Sequence, residues 1–193
     1  MLLRRTFIAL SAAFAVAAGL LSTPTHAEQP EGIDPENTLY LDLDYGRVVI
    51  RMRPDLAPNH VERIKHLVRR GFYDGLKFHR VIEGFMAQTG DPKGDGTGGS
   101  GRKLNAEFSA EPHVRGTVSM ARARSVNSAD SQFFIVFAPA PFLDTQYTVW
   151  GEVVSGMEYV DQIKKGSSAN NGAVSQPDKI LRMRVAADVA EAG

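Results

Sequence analysis

The chain has 193 residues, 43% of them hydrophobic, with a formal net charge of zero and no cysteine. That length and apolar content suit one domain with a sizeable core. The lack of cysteine excludes disulfides and thiolate catalysis, and the balanced charge argues against nucleic acid or an anionic membrane as principal partner.

Residues 1–27 stand apart from that core. Arg4 and Arg5 precede an almost uninterrupted apolar stretch, Thr6 to Leu21, and "PTHA" precedes Glu28. This is the three-part pattern of a secretory signal peptide, with the cut expected after Ala27. The apolar stretch spans about 16 residues, short of the roughly 20 a membrane-spanning helix needs, so cleavage is favoured over retention as an anchor. Arg4-Arg5-Thr6-Phe7-Ile8 also resembles a twin-arginine signal, and the export route stays open. Without the leader the chain carries 20 basic and 22 acidic residues, a net charge near −2. The expected location is the periplasm or the medium.

Glu28 to Asn37, "EQPEGIDPEN", is polar and proline-bearing and reads as a disordered lead-in to a domain over residues 38–189. Alternation then begins: Leu39, Leu41 and Leu43 share one face, "DYGR" turns the chain, and Val48, Ile50 and Met52 continue the pattern back. From Ala57 to Arg70 the period becomes helical, with Val61, Ile64, Leu67 and Val68 on one face, Pro58 in the first turn and Gly71 at the exit. Further strands are predicted at Lys77–Val81, Phe85–Thr89, Thr117–Ala121, Gln132–Phe137, Thr148–Val154 and Ile180–Ala186, and a second helix at Met157–Lys165. Eight strands too close in sequence for repeated helical crossovers predict a mainly β fold. The expected form is a closed eight-stranded antiparallel β-barrel capped by two α-helices.

Several motifs in this chain fail on inspection. The run Gly94 to Gly101 matches Gly-x-Gly-x-x-Gly twice, but "RKLNAEFSAEP" follows where a helix must open. Arg102-Lys103 stands where a phosphate loop needs Lys then Ser or Thr. Ser100 lacks the final glycine of a hydrolase elbow. Lys93 and Arg102 occupy ligand positions of a calcium loop. The run reads instead as a flexible surface loop beside a groove. His60 and His66 lie six apart on the first helix and do not share a face closely enough to hold a metal. His79 reads as a structural histidine on the face opposite Phe78 and Arg80.

The stretch "FHRVIEGFMAQTGDPKGDGTGG", followed by "GTVSMAR", "NSADSQFFIVF" and "PFLDTQYTVWGEVVSGMEYVDQI", resembles the cyclophilins, the peptidyl-prolyl cis–trans isomerases. The resemblance runs from about Leu39 to Val185 and implies that family's β-barrel. It implies Arg80 as the catalytic arginine, with Gln88 beside it. It implies Phe85, Met86, Ala121, Arg122, Gln132, Phe134, Phe142, Leu143 and Tyr147 as substrate-binding residues. No cofactor or metal is implied. The expected partners are proline-containing segments of folding proteins, and a monomer is expected. Four positions depart from the common pattern. Glu83 replaces a usual proline and Arg122 a frequent asparagine. Phe142 and Tyr147 stand where many eukaryotic relatives have tryptophan and histidine, which leaves isomerase activity in place and predicts weak binding of cyclosporin.

The chemistry suits these residues. Rotation about a peptide bond faces about 18–20 kcal/mol, and unaided X–Pro exchange takes on the order of tens of seconds. Twisting the amide localises the nitrogen lone pair, so a fixed guanidinium donating to the prolyl nitrogen or carbonyl favours that state without covalent chemistry. Phe85, Met86, Phe134 and Leu143 would form a pocket for the pyrrolidine ring, and Gln88 and Gln132 would hold the flanking backbone. Phe78, Val81, Phe133, Ile135 and Trp150 read as core. Two other readings compete: a proline-peptide binding module without turnover, and a hydrolase using Ser100 or Ser131.

Overall fold

The computed structural model describes residues 34–190, so the signal-peptide reading lies outside the described residues. Most of the lead-in lies outside them too. Its end is not irregular: Pro35–Asn37 forms a 3₁₀ turn whose Glu36 amide donates to the Asp34 carboxylate.

Eight strands follow: β1 (Thr38–Leu43), β2 (Gly46–Met52), β3 (Arg80–Ile82), β4 (Met86–Thr89), β5 (Thr117–Met120), β6 (Phe133–Val136), β7 (Val149–Ser155) and β8 (Arg182–Val185). They form one antiparallel sheet in the order β3-β4-β6-β5-β7-β2-β1-β8. The barrel expected from the sequence is not closed. The sheet is open and curled, with β3 and β8 as its two edge strands, not paired with each other. The reason is that an irregular loop takes the outer backbone groups of β3. The Val81 amide donates to Gly172 O at 2.8 Å, the Val81 carbonyl accepts from Gly166 N at 2.9 Å, and Val174 N donates to His79 O at 3.1 Å. Phe78 N likewise donates to Asp178 O, so residues 77–79, expected to open β3, join the loop instead.

The helices also differ from expectation. α1 (Pro58–Arg69) buries Val61, Ile64, Leu67 and Val68 as the periodicity requires. The expected second helix shrinks to one turn, α2 (Met157–Val160). Lys164 N donates to the Asp178 carboxylate at 2.7 Å and Asp161 is tied to Arg115, which draws the chain out of helical register. A third short helix, α3 (Ala186–Ala190), was not foreseen.

The inward face holds the main core. Phe78, Val81, Phe133, Ile135 and Trp150 are fully buried there, with Leu39, Leu41, Val48 and Ile50. Phe133 meets both Tyr73 and Trp150 edge-on, at centroid distances of 5.6 and 5.4 Å. Because side chains alternate along a strand, the other face of β4 and β6 carries a second apolar cluster: Met86, Phe134 and Val136, joined by Ala140 and Leu143.

Candidate active site

β3 and β4 form a hairpin in which Phe85 N donates to Ile82 O across Glu83 and Gly84. Gly84 has φ +69°, the geometry of a type II turn. Glu83, exposed at the first central position, needs only an ordinary negative φ there. Proline is favoured at that position but not required, which accounts for the glutamate.

The hairpin register sets the site. Arg80 pairs with Gln88, Gln88 with Phe134, and Phe134 with Ser119, so three strands align Arg80, Gln88 and Phe134 in one row. Arg80 Nη1 donates to Gln88 Oε1 at 3.2 Å. Gln88 Nε2 donates to Gln132 Oε1 at 2.9 Å, and Gln132 Nε2 donates to the Gly98 and Gly96 carbonyls at 2.8 and 3.1 Å. The guanidinium thus orients both amides in turn. On its other side Arg80 Nε and Nη2 donate to the Asn171 carbonyl and Asn171 Oδ1, each at 3.0 Å. Partial burial lowers the Arg80 pKa, yet a guanidinium remains charged at any physiological pH.

Arg80 edges a cavity of about 370 Å³. The structure brings together there Phe85, Met86, Gln88, Ala121, Arg122, Phe134, Phe142, Leu143 and Tyr147, all named from the sequence, and adds Gln146. Gln132 lines a neighbouring hollow of about 290 Å³ with Gly96, Gly98, Lys103 and Asp130, which shares Gln88, Ala121 and Arg122 with the first. The floor is Phe134, 5% exposed, with Tyr147 edge-on at 5.9 Å. On the rim, Phe85 lies 5.4 Å from Phe142, which is 63% exposed. Arg122 stacks over Tyr147 at 4.6 Å and donates to Gln146 O, so its charge spans both hollows.

Phe142 and Leu143 ride on a 3₁₀ turn, Pro141–Leu143, closed by Asp144. The Asp144 carboxylate accepts from His113 N and Nδ1 at 2.8 and 2.9 Å, contacts that lower its pKa. His113 Nε2 lies 3.1 Å from Ser119 Oγ, and its ring stacks on Phe134 at 6.3 Å. Serine, histidine and aspartate here have the connectivity of a nucleophilic triad. Ser119 is fully buried, however, and its hydroxyl lies 2.9 Å from Thr148 O, so the group braces the pocket floor. The serines of the hydrolase reading are committed elsewhere: Ser131 Oγ donates to Gly90 O, and Ser100 Oγ sits between Arg63 and Asp130.

The glycine-rich loop, expected to be flexible, is instead tied down by hydrogen bonds. The Asp91 carboxylate accepts from Lys93, Asp95 and Gly96 amides, which shapes the loop and aims two carbonyls at Gln132. His79 is buried beside it, and burial lowers its pKa. Sequence reasoning missed Gln146, His113, Asp144 and Asn171. Only Asn171 carried a signal, the Asn-Gly pair typical of a left-handed turn residue.

The family model "Cyclophilin type peptidyl-prolyl cis-trans isomerase/CLD" matches residues 38–185. A protein of Brucella suis, "Probable peptidyl-prolyl cis-trans isomerase", is 55% identical over 95% of this chain and 97% of its own length. Among solved structures, cyclophilin AquaCyp293 from Hirschia baltica superposes with TM-score 0.72 at 28% identity, covering 81% of this chain and 76% of that one. A cyclophilin-type isomerase of Cryptosporidium parvum, solved in the presence of the dipeptide Ala-Pro, gives TM-score 0.70 at 27% identity, covering 77% and 98%.

Proposed function

The chain belongs to the cyclophilin-type peptidyl-prolyl cis–trans isomerases, and from that membership we propose how its own residues act and where. Arg80 is the catalytic donor. Of its five guanidinium N–H groups three reach oxygens, and among the described residues the other two have the Met86 sulfur, at 3.9 Å, as a weak partner. Those two donors are available to an amide carbonyl or nitrogen at the cavity edge. As the prolyl amide twists, its nitrogen becomes a better acceptor, so the bond strengthens in the transition state more than in either planar form.

The pyrrolidine ring packs against Phe134, Met86, Leu143 and Phe85, and the residue before proline runs along Ala121 and Arg122. The Cryptosporidium relative was solved in the presence of the dipeptide Ala-Pro, a molecule of the size such a cavity takes. The leader-like residues 1–27 support export, so the substrates are X–Pro bonds of proteins folding outside the cytoplasm. The observation that carries this reading is a fixed, half-buried arginine at the mouth of a hollow that offers Phe134, Met86 and Leu143 as an apolar wall.

A protease-coupled assay on an Xaa-Pro peptide tests it. Arg80→Ala is expected to lose about 10²–10³-fold in kcat/KM, the cost of deleting a preorganised transition-state donor. Equal activity in the variant would sink the role given to Arg80. N-terminal sequencing of the exported protein is expected to begin at Glu28, and an intact Met1 end refutes the leader.

A further inference from the structure

We propose that Asn171 is a positioning residue for catalysis, holding the Arg80 guanidinium in the orientation that meets the twisted amide. The inference rests on Arg80 being the catalytic donor. Two of the three oxygen contacts of Arg80 come from this one residue, its main-chain carbonyl on Nε and its Oδ1 on Nη2, both at 3.0 Å. They engage one edge of the guanidinium, while Gln88 engages Nη1. A long arginine side chain with mobile torsions is thereby held before substrate arrives, so less ordering is left for the transition state.

The backbone around Asn171 is built for this contact. Asn171 is left-handed, φ 52° and ψ 35°, a conformation asparagine tolerates better than most residues. The next residue, Gly172, has φ +77°, and a Cβ there would lie 2.4 Å from Ile82 Cγ1 and 3.0 Å from Val81 O. Only glycine lets the loop come that close to β3. The loop is then clamped to that strand by Val81 N to Gly172 O and Gly166 N to Val81 O. Arg80 itself bridges to Ala173. The element that occupies the open edge of the sheet is therefore the one that aims the arginine.

Asn171→Gly tests the side chain alone, because glycine keeps the left-handed backbone and the carbonyl bond. Asn171 is exposed, so the fold is expected to stay intact. In the peptide assay kcat is expected to fall about three- to tenfold, as for loss of one partly exposed bond to a charged donor, with KM within about twofold. In an Arg80→Ala background the same substitution is expected to change nothing further. By NMR, the Arg80 Nε–H resonance is expected to broaden or shift in Asn171→Gly. Wild-type kcat in Asn171→Gly overturns the proposal, and so does an equal loss in both backgrounds, which marks a merely structural role. If Arg80→Ala itself matches wild type, the reading of Arg80 fails first, and the two failures are distinct.

Discussion

Replacing Glu107 by glutamine removes the charge that caps α1 from outside the helix. α1 begins at Pro58 with no side-chain cap of its own and no acid in its first turn. Glu107, 47 residues beyond His60, supplies both. One oxygen accepts from Asn59 N at 3.2 Å and Asn59 Nδ2 at 2.8 Å, the other from His60 N at 3.1 Å and His60 Nδ1 at 2.5 Å. In Glu107→Gln one of those oxygens becomes an NH₂ facing a backbone N–H. An orphaned buried donor costs about 1–3 kcal/mol, and a lost anion at a helix N-terminus about 0.3–1 kcal/mol. The expected destabilisation is about 1.3–4 kcal/mol, roughly 3–16 °C in Tm for a domain of this size.

The pH dependence gives the sharper test. For His60, full burial is the larger influence and lowers its pKa, partly opposed by Glu107. For Glu107, burial raises the pKa, but the bonds from His60 and Asn59 outweigh it and the net shift is downward. Both folded values lie below the unfolded ones, so the unfolded chain binds more protons and stability falls as pH falls. The His60 contribution declines from about pH 6.5 downward and the Glu107 contribution from about pH 4.3. Thermal unfolding followed by circular dichroism across that range is the assay. Wild type is expected to lose its advantage over Glu107→Gln only below about pH 4.3. A difference under about 0.5 kcal/mol at neutral pH, or one unchanged at pH 3, refutes the reasoning.

Two aromatic substitutions separate the pocket floor from its rim. Phe134→Ala empties a site that is 5% exposed and packed between His113 and Tyr147, so it is expected to cost about 3–5 kcal/mol of stability and most of kcat/KM, read by urea unfolding and the peptide assay. Phe142→Ala, at a side chain 63% exposed, is expected to leave stability within about 0.5 kcal/mol while raising KM several-fold. If both variants change stability alike, the division between floor and rim is wrong.

The parts of this fold that were legible in the sequence are those set by local pattern. Leu39, Leu41 and Leu43 announce β1, and the spacing from Val61 to Val68 announces α1, because burying one face dictates a period. The site row was legible for the same reason. Once the chain turns at Glu83-Gly84, the hairpin register places Arg80 opposite Gln88, and alternation puts Met86 and Gln88 on the face away from Ala87 and Thr89. Contacts between distant segments left no such trace. Nothing near Pro58 signals that Glu107 will cap it, and the apolar Phe78 suggested a strand where the backbone instead joins Asp178.

The closed barrel and the unnoticed Asn171 are one misreading. Had β8 paired with β3, the Val81 amide and carbonyl would have been spent on a ladder, and no loop could have lain against that edge. Because β3 is only three residues long and its outer groups meet Gly172 and Gly166, the edge is instead covered by a chain whose conformation is irregular and glycine-dependent. Such a chain can turn a side chain back over the strand it covers, which a flat ladder neighbour cannot, since ladder neighbours point their side chains above or below the sheet. The left-handed Asn171 uses that freedom to meet the end of Arg80. The departure from regular closure is thus what brings a hydrogen-bond acceptor to the one arginine the chemistry needs to hold still.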